Sequence, residues 1–355
     1  MTTINGTFRK LTAPALGLDA QGLLYVLIAS GLIAAVLVFP VFASRFEVRL
    51  GTELMFLALW AMSLNLILGN LGMISFGHAA YFGLGAYTVA LIMQKTDIPF
   101  AAAFIAAPFV AGIGAMVVGF FCIRLRHPIY FALLTLAFAQ LLFTIAFQWY
   151  GFTGGDNGVV GFGRDVPESL RLDPTNLYYF TAGIVIISML ALWVIARSPF
   201  GLMLKAIREN PERAEAIGIP VQRMRWTAFV IAGFFAGISG ALFATFQRAV
   251  FPDAMHWLKS GEVLIMVLLG GMGWFLGPVV GAATFFILRH EISGHTEYWQ
   301  LFLGILLLAA VLFFREGVAG ALVSIARWGR GRVQVLRNRR RGDSTAAPAA
   351  KEDDA

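Results

Sequence analysis

Charge is scarce in this 355-residue chain: Asp, Glu, Lys and Arg make up 13% of it, against 59% hydrophobic residues. Such a composition leaves too little polar surface for a water-soluble globule. The lone cysteine, Cys122, excludes an intrachain disulfide and a multi-cysteine metal site, and its apolar setting suits a buried thiol. The histidines, at 78, 127, 256, 290 and 295, form no helical pair with an intervening glutamate, so no metal is expected. A G-x-x-x-x-G-K-[ST] phosphate loop is missing, which argues against ATP hydrolysis by this chain. Between 54 and 93 there is no carboxylate or lysine, nor from 128 to 163 apart from Asp156. Coupling to a proton or sodium gradient usually draws on intramembrane acids, so that mode is disfavoured. No triad or carboxylate pair converges, and the chain does not read as an enzyme.

What is present is a series of apolar runs, with a mean hydropathy of +0.77. The runs are 22–44, 52–68, 73–93, 100–123, 128–149, 176–196, 226–247, 261–289 and 299–314. Each approaches the length of about 20 residues that carries a helix across roughly 30 Å of hydrocarbon. A barrel would alternate over about ten residues instead. The expectation is an all-α, polytopic helical membrane protein of about eight to ten transmembrane helices. The first run is too long for a signal-peptide core and reads as a retained anchor. This divides the chain into an N-terminal segment 1–21, a transmembrane domain 22–320 and a basic tail 321–355, disordered at its end.

Basic residues orient the runs, because lysine and arginine collect in short cytoplasmic loops. Segment 197–225 carries Arg197, Lys205, Arg208, Arg213, Arg223 and Arg225, whereas 150–175 carries only Arg164 and Arg171. The first is expected in the cytoplasm and the second outside. The arginine-rich, acid-free stretch 327–341 puts the C-terminus in the cytoplasm too, as a juxtamembrane tail rather than a nucleic-acid arm. Runs 226–247, 261–289 and 299–314 lie between these two cytoplasmic segments, an odd number where an even number of crossings is needed. Run 261–289 contains "GGMGWFLGP", and Gly271, Gly273, Gly277 and Pro278 would let it break into a pair. Broken helices survive at membrane depth only inside protein or beside a water-filled cavity.

The stretch "LGNLGMISFGHAAYFGLGAY" at 68–87 is apolar yet rich in small residues. On a continuous helix Ser75, Ala79, Gly83 and Ala86 would share one face and admit a neighbouring backbone. Similar stripes recur at Gly233, Gly237, Gly240 and Ala244, and at Gly273, Gly277 and Gly281. Close helix contact accounts for the stripes. Asn65, His78 and Tyr81, with Gln140 in a later run, are polar groups that lipid cannot satisfy, so they face either the protein core or a translocation pathway.

The most defined soluble piece is "SPFGLMLKAIRENPERAEAIGIP" at 198–220. Asn210 can cap a helix, Pro211 suits its first position, Glu212 and Glu215 suit its early turns, and Gly218 suits the left-handed residue beyond its end. A short helix of about two turns follows, and 202–209 can be helical as well. A rigid helix in a cytoplasmic loop is a handle by which another subunit can push a membrane domain. The glycine-rich "TGGDNGVVGFG" at 153–163 lacks a lysine and suits turns or partner docking better than phosphate binding.

Several of these stretches, in this order, resemble the permease subunits of branched-chain amino acid ABC importers, LivM-like ones in particular. They are "NLILGNLGMISFGHAAYFGLGAY", "LLTLAFAQLLF" with "TGGDNG", "SPFGLMLKAIRENPERAEAIGI" with "AFVIAGFFAGISGAL", "SGEVLIMVLLGGMGWFLGPVVGA" and "LFLGILLLAAVLFFREGVAG". The resemblance covers roughly 50–320, while 1–20 and 330–355 match nothing specific to it. It implies a large-bundle, type II-like permease in the bacterial inner membrane, with both termini cytoplasmic. It also implies a second, related permease subunit, two ATPase subunits that bind ATP and Mg, and a periplasmic solute-binding protein. Membrane lipid surrounds it and nucleic acid plays no part. Arg208, Glu209, Asn210, Arg213, Ala214, Glu215 and Gly218 would form the element that couples to an ATPase. Similar signatures carry leucine, isoleucine and valine, or urea, short amides and other small solutes. An ATP-independent channel or carrier is the reading of a different class.

Overall fold

A computed structural model describes residues 31, 36–124, 128–162, 166–294, 301, 304 and 305. The segment 1–21, most of run 22–44, nearly all of run 299–314 and the tail 321–355 lie outside the described residues, and with them the test of an even crossing number. Within these residues the chain is helical, and five helices are long and apolar enough to cross a membrane. They are α1 (Arg45–Leu71), α3 (Phe100–Cys122), α4 (Pro128–Gln148), α7 (Pro174–Arg197) and α10 (Val221–Gln247). Between and after them come α2 (His78–Lys95), the short α5 (Tyr150–Thr153) and α6 (Glu168–Leu172), α8 (Pro199–Glu209), α9 (Pro211–Ala216), α11 (Trp257–Gly270) and α12 (Gly277–Ser293).

Two expected boundaries move. Run 52–68 belongs to a longer helix, because Ser44 starts α1 with a capping box: the Glu47 amide donates to Ser44 Oγ at 3.3 Å, and the Ser44 amide donates to Glu47 Oε2 at 2.6 Å. Run 73–93 is not helical from its start. Gly72 closes α1 in the left-handed conformation, the chain leaves helix over 72–77, and α2 begins only at His78. Ser75 therefore precedes the helix, and the proposed face through Ser75, Ala79, Gly83 and Ala86 is not a single helical stripe.

α1 is the central element, packed against α7, α10, α11 and α12. Its most apolar window is 83% buried, whereas those of α4 and α7 are 28% buried. The second layer of contact is α2 and α3 against α10, where backbones come together at glycine. A Cβ on Gly240 would overlap the Phe82 carbonyl, and one on Gly237 would overlap Ala111 Cβ. On the side of α1's N-terminus, two loops join as a small antiparallel pair, with Val159 opposite Val250 and Val160 opposite Ala249. Arg248, at φ 56°, turns the chain into that pair and donates to the Arg171 carbonyl. Burial, with Arg49 and Arg171 beside it, holds its pKa below the usual arginine value.

Run 261–289 does break. α11 ends at Gly270, Gly271 takes φ +97°, and α12 starts with Gly277 and Pro278. The two helices fold back on each other, since a Cβ on Gly281 would overlap the Met266 carbonyl and one on Gly270 would overlap that of Gly277. Gly273 faces open space in the turn between them.

Candidate functional site

The 198–220 stretch forms two consecutive capped helices. Ser198 accepts from the Gly201 amide at 3.4 Å to start α8, and Pro199 fills its first position. Asn210 ends α8 and starts α9, accepting from the Arg213 amide at 2.8 Å. Gly218, at φ +89°, closes the element, and the Ile219 amide returns to the Ala214 carbonyl at 3.1 Å. One residue thus serves two helices, which fixes the angle between them.

α8 is held by an apolar face and one polar tie. Leu204 and Ile207 are buried in the main core, and Arg208 Nη1 donates to the Gly69 carbonyl near the end of α1. Ala214, read from sequence as a contact for another subunit, is instead 3% exposed and lies in the same core. The outward residues are Glu212, Arg213, Glu215 and Ile217, with Glu209 and Gly218 also exposed. Ile217, 72% exposed at the tip, was missed by the sequence reading. Its signal was an isoleucine beyond a charged helix that no apolar periodicity required.

A second group of predicted residues converges inside the bundle. Ser63 lies about 12 Å back from the end of α1, and its Oγ meets His78 Nε2 at 2.8 Å. α2 therefore starts well inside the bundle, not at its edge. The Ala79 amide donates to Ser260 Oγ of α11 at 2.8 Å, the Gly77 amide to Ser75 Oγ at 3.3 Å, and the Phe76 amide to Thr135 Oγ1 of α4 at 3.2 Å. Tyr81 sets its ring edge-on against Phe229 at 5.4 Å. Ser75, His78, Ala79 and Tyr81 are buried in the chain's own core, so in this conformation they line no open path. They join the start of α2 to α1, α4 and α11, and supply partners to the amides of a helix start that lipid would leave unsatisfied. Gly83 abuts Met255, while Gly85, two residues on, abuts the backbone of Gly237. Gln140 sits half-buried on α4 with Oε1 unpartnered among the described residues. Asn65 points away from this group and lines a separate cleft with Gly69, Arg208, Glu209 and Gly273.

Sequence reasoning also passed over charges within the broken pair. Lys259 Nζ donates to Glu262 Oε1 at 2.7 Å, and Arg289 Nη1 of α12 lies 3.7 Å from Glu262 Oε2. A Lys-x-x-Glu in an apolar run, one helical turn apart, was the available signal. The pairing fastens α11 to α12 and satisfies charges that a lone helix could not keep in lipid.

A family model described as "Branched-chain amino acid transport system / permease component" matches residues 48–311. The chain is 27% identical over 333 residues to the high-affinity branched-chain amino acid transport system permease protein LivM of Escherichia coli (strain K12), covering 87% of this chain and 78% of that one. It is 26% identical over 286 residues to LivH of the same system and strain, covering 74% and 91%. A shorter match, 27% over 130 residues, joins it to the guanosine ABC transporter permease protein NupQ of Bacillus subtilis (strain 168), covering 36% and 40%. No solved structure matches the chain.

Proposed function

The chain belongs to the family of branched-chain amino acid transport system permease components, and from that premise we propose that it is the membrane subunit of an ATP-driven importer of branched-chain amino acids. It works in the bacterial inner membrane with a related permease, two ATPase subunits that bind ATP and Mg, and a periplasmic solute-binding protein. Both termini and the α8–α9 loop face the cytoplasm. The paired loops around Val159 and Val250 face the periplasm.

The observation that carries this reading is the rigid α8–α9 element tied by Arg208 to the Gly69 carbonyl. Glu212, Arg213, Glu215 and Ile217 present a mixed charged and apolar tip that suits a groove on an ATPase. Leu204, Ile207 and Ala214 root the element in the core. When the ATPases close on ATP, a push on α9 passes through Asn210 to α8 and through Arg208 to the end of α1. From α1 the Ser63–His78 contact carries it to α2, and Ser260 carries it to α11. A tied network with two arrangements transmits such a displacement better than a compliant loop does. Solute would then cross beside this chain and its partner permease, driven by ATP rather than by an ion gradient.

The test is leucine uptake into proteoliposomes that hold the whole complex, with ATP inside and binding protein outside. Ile217→Asp should abolish ATP-dependent uptake and ATPase association while binding-protein docking persists. Uptake that continues without ATP would establish a channel or carrier instead. A second reading, nucleoside import, is favoured by the NupQ match. It predicts competition by guanosine where leucine fails, and urea or short amides are scored in the same assay.

A further inference from the structure

A cleft of about 600 Å³ opens between the end of α1, the end of α7, the side of α8 and the 271–276 turn. That is the size of a small-molecule site. Its floor is Asn65, 7% exposed, whose Oδ1 is buried without a partner among the described residues, beside Gly69. Its walls include Trp193, Met272 and Trp274, and its rim carries Arg197, Lys205, Arg208 and Glu209. Arg208 is engaged with the Gly69 carbonyl, and Arg197 lies over the Trp193 ring at 4.5 Å. Neither Arg197 nor Lys205 has a carboxylate partner among the described residues. The rim is therefore cationic on balance, above a floor that carries one polar side chain.

The surroundings select among anions. α1 and α11 both end at this cleft, and the negative ends of their dipoles disfavour a bare anion deep inside. A ligand with its anionic group at the rim and a neutral polar group toward Asn65 satisfies both halves. From the rim, α7 presents Ile187, Leu190 and Val194, each more than half exposed, on one face that leads to Trp193 and Arg197. An apolar stripe ending in an exposed tryptophan and an arginine is the arrangement that acyl chains and a headgroup meet at a membrane boundary. A soluble solute would have no use for it.

We propose that this cleft binds the headgroup of an anionic glycerophospholipid of the cytoplasmic leaflet. Arg197 and Lys205 hold its phosphodiester, the neutral polar end of the headgroup lies over Asn65, and the acyl chains run along Ile187, Leu190 and Val194. Placing the cleft at the cytoplasmic boundary rests on the orientation proposed above. Because α8 forms one wall, the bound lipid braces the lever against α7 and stiffens the path from α9 to α1.

The test uses the full-length chain, purified in mild detergent and reconstituted in nanodiscs of phosphatidylcholine with or without phosphatidylglycerol. Native mass spectrometry should find phosphatidylglycerol retained by the wild type. An Arg197→Gln, Lys205→Gln double variant should bind it about thirty-fold more weakly, while Arg223→Gln, away from the cleft, should bind it normally. Asn65→Asp should weaken binding too, through repulsion of the phosphate. Both rim residues are exposed, so the double variant keeps its fold, checked by size exclusion. Equal lipid retention by wild type and double variant would overturn the proposal. Thermal protection by soluble glycerol 3-phosphate equal to that by the lipid would make this a site for a free phosphoester. Protection by leucine but not by lipid would make it a solute site, and also overturn the lipid reading. Lipid binding is read without transport, so its failure is separable from failure of leucine uptake in the whole complex.

Discussion

Among the described residues the bundle is interrupted at 72–77 and at 271–276, and these two interruptions behave as opposites. Most of the first is drawn inside: Met73, Ser75, Gly77 and His78 are buried, Gly72 and Ile74 are exposed, and the amides of Phe76, Gly77 and Ala79 are answered by Thr135, Ser75 and Ser260. The second is bordered by the cleft, with Gly273, Trp274 and Leu276 exposed and the turn closed by the Gly277 amide on the Trp274 carbonyl at 3.1 Å. Broken backbone in a membrane protein must be satisfied internally or meet water, and this chain uses one solution at each place. An interruption tied on several sides acts as a joint between helices; one open on a side borders a cleft.

The largest expected effect breaks the hairpin beside the second interruption. Gly281→Leu drives a side chain into the Met266 carbonyl, where only backbone movement can make room. A cost of about 3 kcal/mol or more is expected for such overpacking. Fluorescence-detected size exclusion after heating should show little surviving monodisperse protein. Wild-type survival would mean that α11 and α12 are not in backbone contact.

A smaller effect tests the first interruption. Ser260→Ala removes the acceptor of the buried Ala79 amide and should cost about 1–2 kcal/mol, seen as a lower midpoint of thermal inactivation. Ser260→Thr should restore most of it. An unchanged midpoint in Ser260→Ala would show that the start of α2 is not tied to α11, and the contrast between the two interruptions would fail.

The contrast was half legible in the sequence. "GGMGWFLGP" announces a break because glycine and proline cluster there and a parity conflict demands one. "GMISFG" was read through as helix, since apolar residues flank it and hydropathy does not register where hydrogen bonds are made. Its ties come from Thr135 and Ser260, distant in sequence, and no local pattern could reveal them. The caps at Asn210 and Gly218 were readable because capping is local chemistry. The inward turn of Ala214 was not, because which face of a short helix is buried is decided by what it lands on. Hydropathy likewise ranked α1 with α4 and α7, although the window of α1 is 83% buried and theirs are 28% buried, because hydropathy does not register what a helix packs against.

Asn210→Ala acts on the α8–α9 element rather than on either interruption, and should cost on the order of 1 kcal/mol of local helix stability. Because Asn210 serves two helices, the angle between α8 and α9 loosens while the membrane core stays intact. In the reconstituted complex, uptake should fall severalfold at an unchanged thermal midpoint. A fall in the midpoint with normal uptake would assign Asn210 to the core instead.

The smallest effect is the most discriminating one, because it lies only a few residues from the largest. Gly273 stands in the second interruption with open space where a Cβ would go and no left-handed backbone to maintain. Gly273→Ala therefore meets no steric or conformational penalty and should shift stability by no more than about 0.5 kcal/mol. The added methyl lines the cleft but leaves Arg197, Lys205 and Asn65 in place, so lipid retention should persist. If Gly273→Ala destabilised the protein as severely as Gly281→Leu, the 271–276 turn would have to be packed as tightly as 72–77. The open rim, and the cleft that depends on it, would then be wrong.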